Sequence, residues 1–265
     1  MQQPSPNRLT LLALLLLGVV VLVCSLLGRW QLGRADERRA ISAEIERGRL
    51  AAPLVIQPNI TAESVQPWRA ASVTGQWAGQ FSVMLDNRNM DGRPGLWLAT
   101  PLVLESGVAV LVLRGWVPRP IGMQQAPKIE TQPGPLTIEG EMSLRVPRLF
   151  EVWTSRKGED SGLPPSWKGI AAVESGWVDT SKVVRVQNLD LASLAERTGL
   201  RFLPVVLLQN SPAQEGLVRN WPKPSLDADK NVGYATQWFG FAAIAAVAFC
   251  VVLWRFVRRR RRQIE

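Results

Sequence analysis

The chain has 265 residues, of which 46% are hydrophobic and 20% are charged, and its formal net charge is +9. It contains no histidine, and its two cysteines, Cys24 and Cys250, lie in apolar runs near opposite ends of the chain. This composition excludes zinc sites built on Cys and His, Cys-based copper sites, Cys-His and Ser-His catalysis, and histidine ligation of a haem iron.

The first element is an apolar run over residues 9–28, preceded by a short segment, residues 1–8. About 20 helical residues at 1.5 Å each span the roughly 30 Å hydrocarbon core of a bilayer. The run therefore predicts a first transmembrane helix, with residues 1–8 in the cytoplasm. A cleaved signal peptide is the alternative, and the absence of a small-x-small cleavage site disfavours it.

Residues 29–48 are predicted to continue this helix outward. Charged side chains dominate one side, and Gly48 provides a stop. The other side carries a narrow apolar stripe formed by Leu32, Ala35, Ile41 and Ile45. A solvated linker helix and a partner-binding helix both fit this pattern.

Strand patterns begin after a loop punctuated by prolines. The predicted strands of the first half cover residues 69–77, 81–86, 96–104 and 108–116. A Gly79-Gln80 turn separates the first two, and the polar, Gly-rich residues 86–95 predict a long loop. The last two strands form the clearest hairpin of the chain, closed through residues 105–107.

The second half of this region contains fewer clear elements. Residues 136–145 alternate between apolar and polar side chains, which predicts a half-buried strand. Residues 153–168 predict an irregular segment, and residues 176–186 and 202–209 predict two further strands. Residues 189–197 predict a short helix that begins near Asn188 or Asp190 and ends at Gly199.

A second apolar run predicts a second transmembrane helix over residues 234–256, followed by a cytoplasmic tail, residues 257–265. Arg255 and residues 258–262, all arginine, follow the run and favour a cytoplasmic location. Tyr234, Trp238 and Phe239 mark its outer interface, where amphipathic aromatic rings settle.

Two spans with a cytoplasmic C-terminus place residues 29–233 outside the cytoplasm. That segment carries 24 Lys+Arg and 21 Asp+Glu, so most of the excess charge lies in the tail. The excess therefore indicates topology and contact with anionic lipids, and no nucleic-acid partner is expected. The predicted fold is a membrane-anchored α+β chain, in which two transmembrane helices bracket a mostly antiparallel β domain, barrel-like or sandwich-like.

The clearest candidates for function are aromatic residues and one arginine. Nine of the eleven tryptophans fall between Trp30 and Trp221, and they either form an apolar ligand surface or, as we prefer, fill a small β core and the bilayer interface. Arg114 follows an apolar strand and could bind a carboxylate or propionate, or form a salt bridge within the fold. We expect no catalytic site and no resident metal.

Three sequence blocks match a known family. They are residues 27–34 (LGRWQLGR), similar to LGxWQxxR; residues 100–102 (TPL) with 110–118 (VLVLRGWVP), similar to TPL…VLVNRGWVP; and residues 234–240 (YATQWFG), similar to YAxQWFG. With their order and spacing, these blocks make the chain resemble the Surfeit locus protein 1 family, which assists assembly of haem-copper cytochrome c oxidase.

The resemblance implies a non-enzymatic assembly factor in the bacterial plasma (inner) membrane, with both termini cytoplasmic. It would assist haem a insertion into, or stabilisation of, oxidase subunit I, together with other assembly factors and membrane lipids. The alternative is an envelope scaffold that binds another membrane protein and has no haem role.

Two departures from the family constrain how haem is handled. Asn231 stands where the family commonly has a histidine, and Leu113 replaces an asparagine. Any haem a is therefore expected to bind transiently and without histidine ligation. The predicted haem-proximal residues are Trp30, Arg34, Tyr234 and Trp238. The predicted partner-binding residues are Gln31, Arg114, Gly115, Trp116 and Gln237.

Overall fold

The computed structural model describes residues 6–120, 127–149, 163–164, 167, 173–174, 176–211, 215–222, 224 and 226–262. The chain divides into two compact units. The helical unit comprises Met1–Ala43 and Pro224–Glu265, and the barrel unit comprises Glu44–Lys223. The predicted irregular segment, residues 153–168, lies almost entirely outside the described residues.

The described residues form the helices α1 (Pro6–Leu50), α2 (Leu191–Thr198) and α3 (Ala228–Arg261). α1 is one continuous helix, which confirms the predicted extension beyond the apolar run. Its apolar stripe is buried only in part, because Ala35 and Ile45 are buried whereas Leu32 and Ile41 are exposed.

The short helix α2 is capped at both ends by residues that its sequence predicted. Asp190 caps its first turn by accepting a hydrogen bond from the Ser193 backbone N–H at 3.2 Å. Gly199 ends it in the left-handed conformation, with φ 72°. Of the two predicted starting points, Asp190 is therefore correct and Asn188 is not.

The terminal helices α1 and α3 are long and apolar enough to cross a membrane. Only 17% and 11% of their most apolar segments are buried, unlike the core helix of a soluble protein. The exposed surface of both helices is rich in Leu, Val and Ile.

The strands fall into two sheets. They are β1 (Leu54–Val55), β2 (Ala70–Trp77), β3 (Val83–Leu85), β4 (Gly95–Val103), β5 (Val108–Pro118), β6 (Lys128–Glu130), β7 (Leu136–Ser143), β8 (Val173–Glu174), β9 (Trp177–Asp179), β10 (Val184–Val186) and β11 (Arg201–Gln209). The larger sheet has the order β1-β2-β7-β11-β5-β4-β3-β10, and the smaller has the order β6-β9-β8.

The larger sheet closes on itself. β2 pairs with β7 at one side and with β4 at the other, through Gln76 opposite Val103 and Trp77 opposite Leu102. The ring β2-β7-β11-β5-β4 is therefore a five-stranded barrel, which decides between the barrel and the sandwich. Most described pairings are antiparallel, as predicted, and β5 with β11 is a parallel exception inside the ring.

Burial explains why some strands alternate and others read as continuous apolar runs. In β5, Val110 and Val112 belong to a buried cluster shared by all five ring strands, whereas Leu111 and Leu113 belong to a second cluster that includes Leu194 of α2. Both faces of β5 are thus buried, so it shows no polar alternation. β7 alternates because one of its faces is exposed, which confirms the predicted half-buried strand.

The predicted turn at Gly79-Gln80 is a short 3-10 helix, Gly79–Phe81, and it separates β2 from β3 as expected. One prediction of local structure was wrong. Residues 176–186 form two short strands in different sheets, β9 and β10, because a turn at residues 180–183 interrupts the chain.

Candidate functional site

The helical unit is held together by a closely packed seam between α1 and α3. A Cβ added at Gly28 would lie 2.8 Å from the Phe239 ring, and one added at Gly18 would lie 3.9 Å from Phe249. Of the two glycines, the one earlier in α1 contacts the phenylalanine later in α3. The two helices therefore run antiparallel. The small residues Ala35, Ala235, Ala242 and Ala245 are buried and permit the close approach.

Polar contacts continue this seam beyond the apolar segments. The Asn231 side-chain amide donates a hydrogen bond to the Gln31 side-chain oxygen at 2.6 Å. Arg38 donates to the backbone carbonyl of Asp227 at 2.7 Å. The side-chain oxygen of Asn231, Oδ1, is buried and has no hydrogen-bond partner among the described residues.

The four predicted haem-proximal residues all lie in this helical unit. Trp30 and Tyr234 are 59% and 53% exposed. Trp238 is half-buried on the same side of α3 as Ala235 and Ala242. Its ring meets that of Phe241 edge-to-face, with 6.1 Å between the ring centroids. The unit therefore presents accessible aromatic rings on both helices.

Charge is available beside these rings. Arg34 pairs with Glu37 at 2.8 Å, and both side chains are about half exposed or more, at 49% and 62%. Exposed ion pairs contribute little free energy, so the Arg34 guanidinium can exchange this partner for another anion. Asn231 offers a neutral amide already bound to Gln31 where the family commonly has an imidazole.

These four residues offer a haem an aromatic surface and one cation, and none of them is a nitrogen ligand of the histidine type. The exposed rings of Trp30 and Tyr234 and the half-buried ring of Trp238 can pack against an apolar macrocycle. Arg34 can pair with a propionate. The exposed Tyr234 phenol is the one oxygen donor among the four residues. Gln237, predicted to contact a partner, is exposed on α3, whereas Gln31 is half-buried in the seam.

The remaining predicted site residues lie on β5 in the barrel unit. Arg114 is fully buried and donates to Thr131 Oγ1 at 2.9 Å and to the Glu130 carbonyl at 2.5 Å. Its guanidinium lies 3.3 Å from the Glu215 carboxylate and 4.7 Å from the centre of the Trp77 ring. Of the two roles predicted for Arg114, the structure shows the salt bridge within the fold.

A second arginine completes this buried network. Arg219 pairs with Glu215 at 2.8 Å and donates to the Arg114 carbonyl at 2.8 Å. Burial lowers the pKa of Arg114, because desolvation disfavours the charged guanidinium, and the Glu215 carboxylate opposes that shift. Glu215 therefore neutralises two cations that would otherwise repel each other.

Gly115 and Trp116 are positioned by the segment that follows β11. A Cβ at Gly115 would lie 2.7 Å from Leu217 Cβ, and Gly115 has φ 154°, so only glycine fits there. Trp116 is buried, exchanges two backbone hydrogen bonds with Val218, and donates its indole N–H to the Arg88 carbonyl at 2.6 Å. Both residues pack against residues 215–219 and help to position that segment. A direct contact of Gly115 or Trp116 with a partner protein stays a prediction.

The tryptophans of the barrel unit mostly fill its core, as we preferred from the sequence. The buried ones are Trp77, Trp97, Trp116 and Trp167. Arg88 stacks over Trp97 at 4.6 Å, and burial lowers its pKa to about 10 because the charged form is desolvated. Trp97 in turn meets Trp221 edge-to-face.

Sequence reasoning missed the partners of the residues it selected. Glu215 and Arg219 are distant in sequence from Arg114 and belong to no recognised block, so no local signal identified them. The Gln31–Asn231 bond could be inferred only from the register of the antiparallel seam. Within the described residues, no group of three or more acidic or cysteine side chains could hold a metal ion.

Comparison with known proteins agrees with the blocks read from the sequence. The sequence model of the SURF1 family matches residues 18–243. Similar relatives include uncharacterised SURF1-like proteins of Mycobacterium bovis and Mycobacterium tuberculosis. Each is 24% identical over 257 residues, which cover 95% of this chain and 86% of the relative. The chain therefore belongs to the SURF1 family, whose members are generally assembly factors for cytochrome oxidase.

Proposed function

We propose that this chain is a non-enzymatic assembly factor for haem-copper cytochrome c oxidase, anchored in the bacterial plasma membrane by α1 and α3. The observation that carries the proposal is the antiparallel helix pair, which exposes apolar surface along its length and the rings of Trp30 and Tyr234 near one end. A surface of this kind suits contact with lipid and with another membrane protein.

The topology follows from the charges that flank the helices. The arginines at residues 255 and 258–262 hold the end of α3 in the cytoplasm, and the antiparallel seam then places the start of α1 on the same side. Residues 29–233, with the barrel unit, lie on the outer side. The partner is oxidase subunit I, which is itself a membrane protein and binds haem a.

Haem a is handled as a cargo, without a histidine ligand. Trp30 and Trp238 contact the macrocycle, Tyr234 lies at the same end of the unit, and Arg34 pairs with a propionate. Aromatic contact and an exposed ion pair give weak binding, and weak binding allows release to subunit I. Gln237 is exposed beside this surface and contacts the partner.

Disruption of the gene tests the assembly role. Reduced-minus-oxidised spectra of membranes from the disrupted strain should lose a-type haem signal while the b-type signal is retained, and the intact gene should restore it. An unchanged a-type signal would contradict the proposal. A strain with normal haem signal but mislocalised envelope proteins would favour the scaffold alternative.

Titration of the purified full-length protein with haem a tests the cargo role separately. We expect weak binding with no bis-imidazole low-spin spectrum, since the chain has no imidazole. Trp238→Ala should weaken binding severalfold more than Asn231→Ala, and the exposed Trp254 supplies the matched control Trp254→Ala, which should have no effect. A stoichiometric low-spin complex, or unchanged binding by Trp238→Ala, would contradict contact-only binding.

A further inference from the structure

The end of α3 carries four arginines on one face. Arg255, Arg258, Arg259 and Arg262 follow the spacing i, i+3, i+4, i+7, which places their side chains on the same side of the helix. All four are exposed, and with Trp254 they line one shallow, open groove on the helix surface. Arg260 and Arg261 do not line it.

This cationic surface is continuous with an apolar one. Ala246, Val247, Cys250 and Val251 line a second shallow, open surface one turn earlier, and Trp254 lines both. The two surfaces differ in polarity, because the second is lined almost entirely by apolar atoms whereas the first is lined by four arginines. The groove therefore has an apolar part and a cationic part that meet at Trp254. This arrangement is complementary to an amphiphilic ligand, which also has an apolar part and a charged part.

The four guanidinium groups are not neutralised within the described chain. Arg255 with Arg259, and Arg258 with Arg262, are like-charge pairs at i, i+4, and each such pair destabilises a helix. None of the ion pairs among the described residues involves them, and the sequence has no Asp or Glu between Asp229 and Glu265. The helix C-terminus favours cations but supplies no counter-anion for each guanidinium.

A cation–π contact with Trp254 positions one of the four arginines, Arg258. The Arg258 guanidinium lies 5.1 Å from the centre of the Trp254 ring, and the ring is 59% exposed. Stacking on the ring holds Arg258 beside the boundary between the apolar and cationic surfaces. Tryptophan is itself enriched at the membrane interface, where lipid phosphates lie.

We propose that this groove is a discrete binding site for an anionic phospholipid whose headgroup carries two phosphates. Arg255, Arg258, Arg259 and Arg262 bind the phosphates, and the acyl chains lie along the apolar surface that ends at Trp254. A phosphodiester carries one negative charge, so a single phosphate would leave most of the charge of the four guanidinium groups unbalanced, and a second phosphate balances more of it. The site rests on the membrane anchoring proposed above and is independent of the oxidase role.

The test uses the full-length protein in a neutral detergent and two double variants that remove the same charge. Arg259→Gln/Arg262→Gln alters the groove, and Arg260→Gln/Arg261→Gln is the matched control outside it. Diphosphatidylglycerol, phosphatidylglycerol, phosphatidylcholine and inorganic pyrophosphate are titrated in turn, with bound lipid counted by native mass spectrometry. Helix content by circular dichroism confirms that each variant is folded.

Diphosphatidylglycerol should bind the wild type most tightly, and the groove variant should weaken it about tenfold, as expected for the loss of one or two charge-assisted hydrogen bonds. The control variant should change it less than about twofold. Equal weakening by both variants would show diffuse attraction to charge and overturn the site. Equal binding of phosphatidylcholine, or of pyrophosphate, would also overturn it. The lipid titration does not depend on the outcome of the gene-disruption experiment. Either proposal can therefore be contradicted without the other.

Discussion

Asn231 on α3 donates its side-chain amide to the Gln31 side-chain oxygen on α1 across 2.6 Å, although the two residues are 200 positions apart. Gln31 belongs to the first sequence block of the family, and Asn231 precedes the third. The bond joins the two terminal helices at the end where Trp30 and Tyr234 are exposed. It gives Asn231, which stands where the resemblance leads us to expect a histidine, a structural partner.

This bond predicts energetic coupling between the two helices. Gln31→Ala and Asn231→Ala should each destabilise the detergent-solubilised protein by about 0.5–1.5 kcal/mol, and the double variant by less than the sum. Thermal unfolding measures this. Thr236→Ala is the control, because the Thr236 hydroxyl donates within α3 to the Val232 carbonyl, and its effect should add to that of Gln31→Ala. Strict additivity for Gln31 and Asn231 would show that the bond does not form.

Close packing at Gly28 makes a second prediction. A larger side chain at this position would collide with the Phe239 ring, whereas Gly33 has nothing within 4 Å. Gly28→Leu should therefore lower the thermal midpoint by several degrees, and Gly33→Leu should leave it nearly unchanged. Phe239→Ala should partly rescue Gly28→Leu by making space. Equal effects at Gly28 and Gly33 would contradict the seam.

The buried network around Glu215 predicts an unusual order of mutational effects. Glu215→Gln leaves two buried guanidinium groups facing each other and should cost about 3–5 kcal/mol. Arg114→Met should cost less, because Glu215 keeps its ion pair with Arg219. The double variant Arg114→Met/Glu215→Gln should cost less than the sum of the two. Unfolding of the full-length protein in denaturant gives all three values.

The same network predicts how Arg114 affects the oxidase. Because its side chain is fully buried, Arg114→Met should lower the abundance of the protein and the oxidase activity in parallel. Immunoblots and activity assays on the same membranes make the comparison. A loss of activity at unchanged abundance would instead indicate that Arg114 contacts a partner.

Reporter fusions test the proposed topology. A phosphatase that is active only outside the cytoplasm should be active when fused after Asn220, beyond the barrel, and inactive when fused to the end of the intact chain. The reason is the cost of moving the arginines after Trp254 through the bilayer. The reverse pattern would overturn the assignment of both termini to the cytoplasm.

The sequence predicted those elements whose pattern is local. The hairpin of β4 and β5, the alternation of β7 and the capped helix α2 all depend on neighbouring residues, and all three were confirmed. The pairing of β2 with β4 that closes the barrel, and the parallel pairing of β5 with β11, depend on residues far apart and left no local pattern.

The sequence identified candidate site residues but not the contacts that these residues make. The family blocks identified Gln31, Trp30 and Arg114, because the residue types stand out at their positions. Asn231 stood out in the sequence only as a departure from the family, and Glu215 did not stand out at all. Their contacts with Gln31 and Arg114 depend on the helix seam and on the barrel, respectively. The structure also showed that the Arg114 guanidinium is fully buried and paired with Glu215 within the fold, which its sequence position alone did not reveal.

The most direct measurement for the central claim is the haem a content of oxidase subunit I isolated from a strain in which this gene is disrupted. If the chain assists assembly, subunit I from the disrupted strain should contain less than its full complement of haem a. The wild-type gene should restore the full content. Trp238→Ala should restore it less well than Trp254→Ala. Subunit I with its complete haem a content in the disrupted strain would contradict the account.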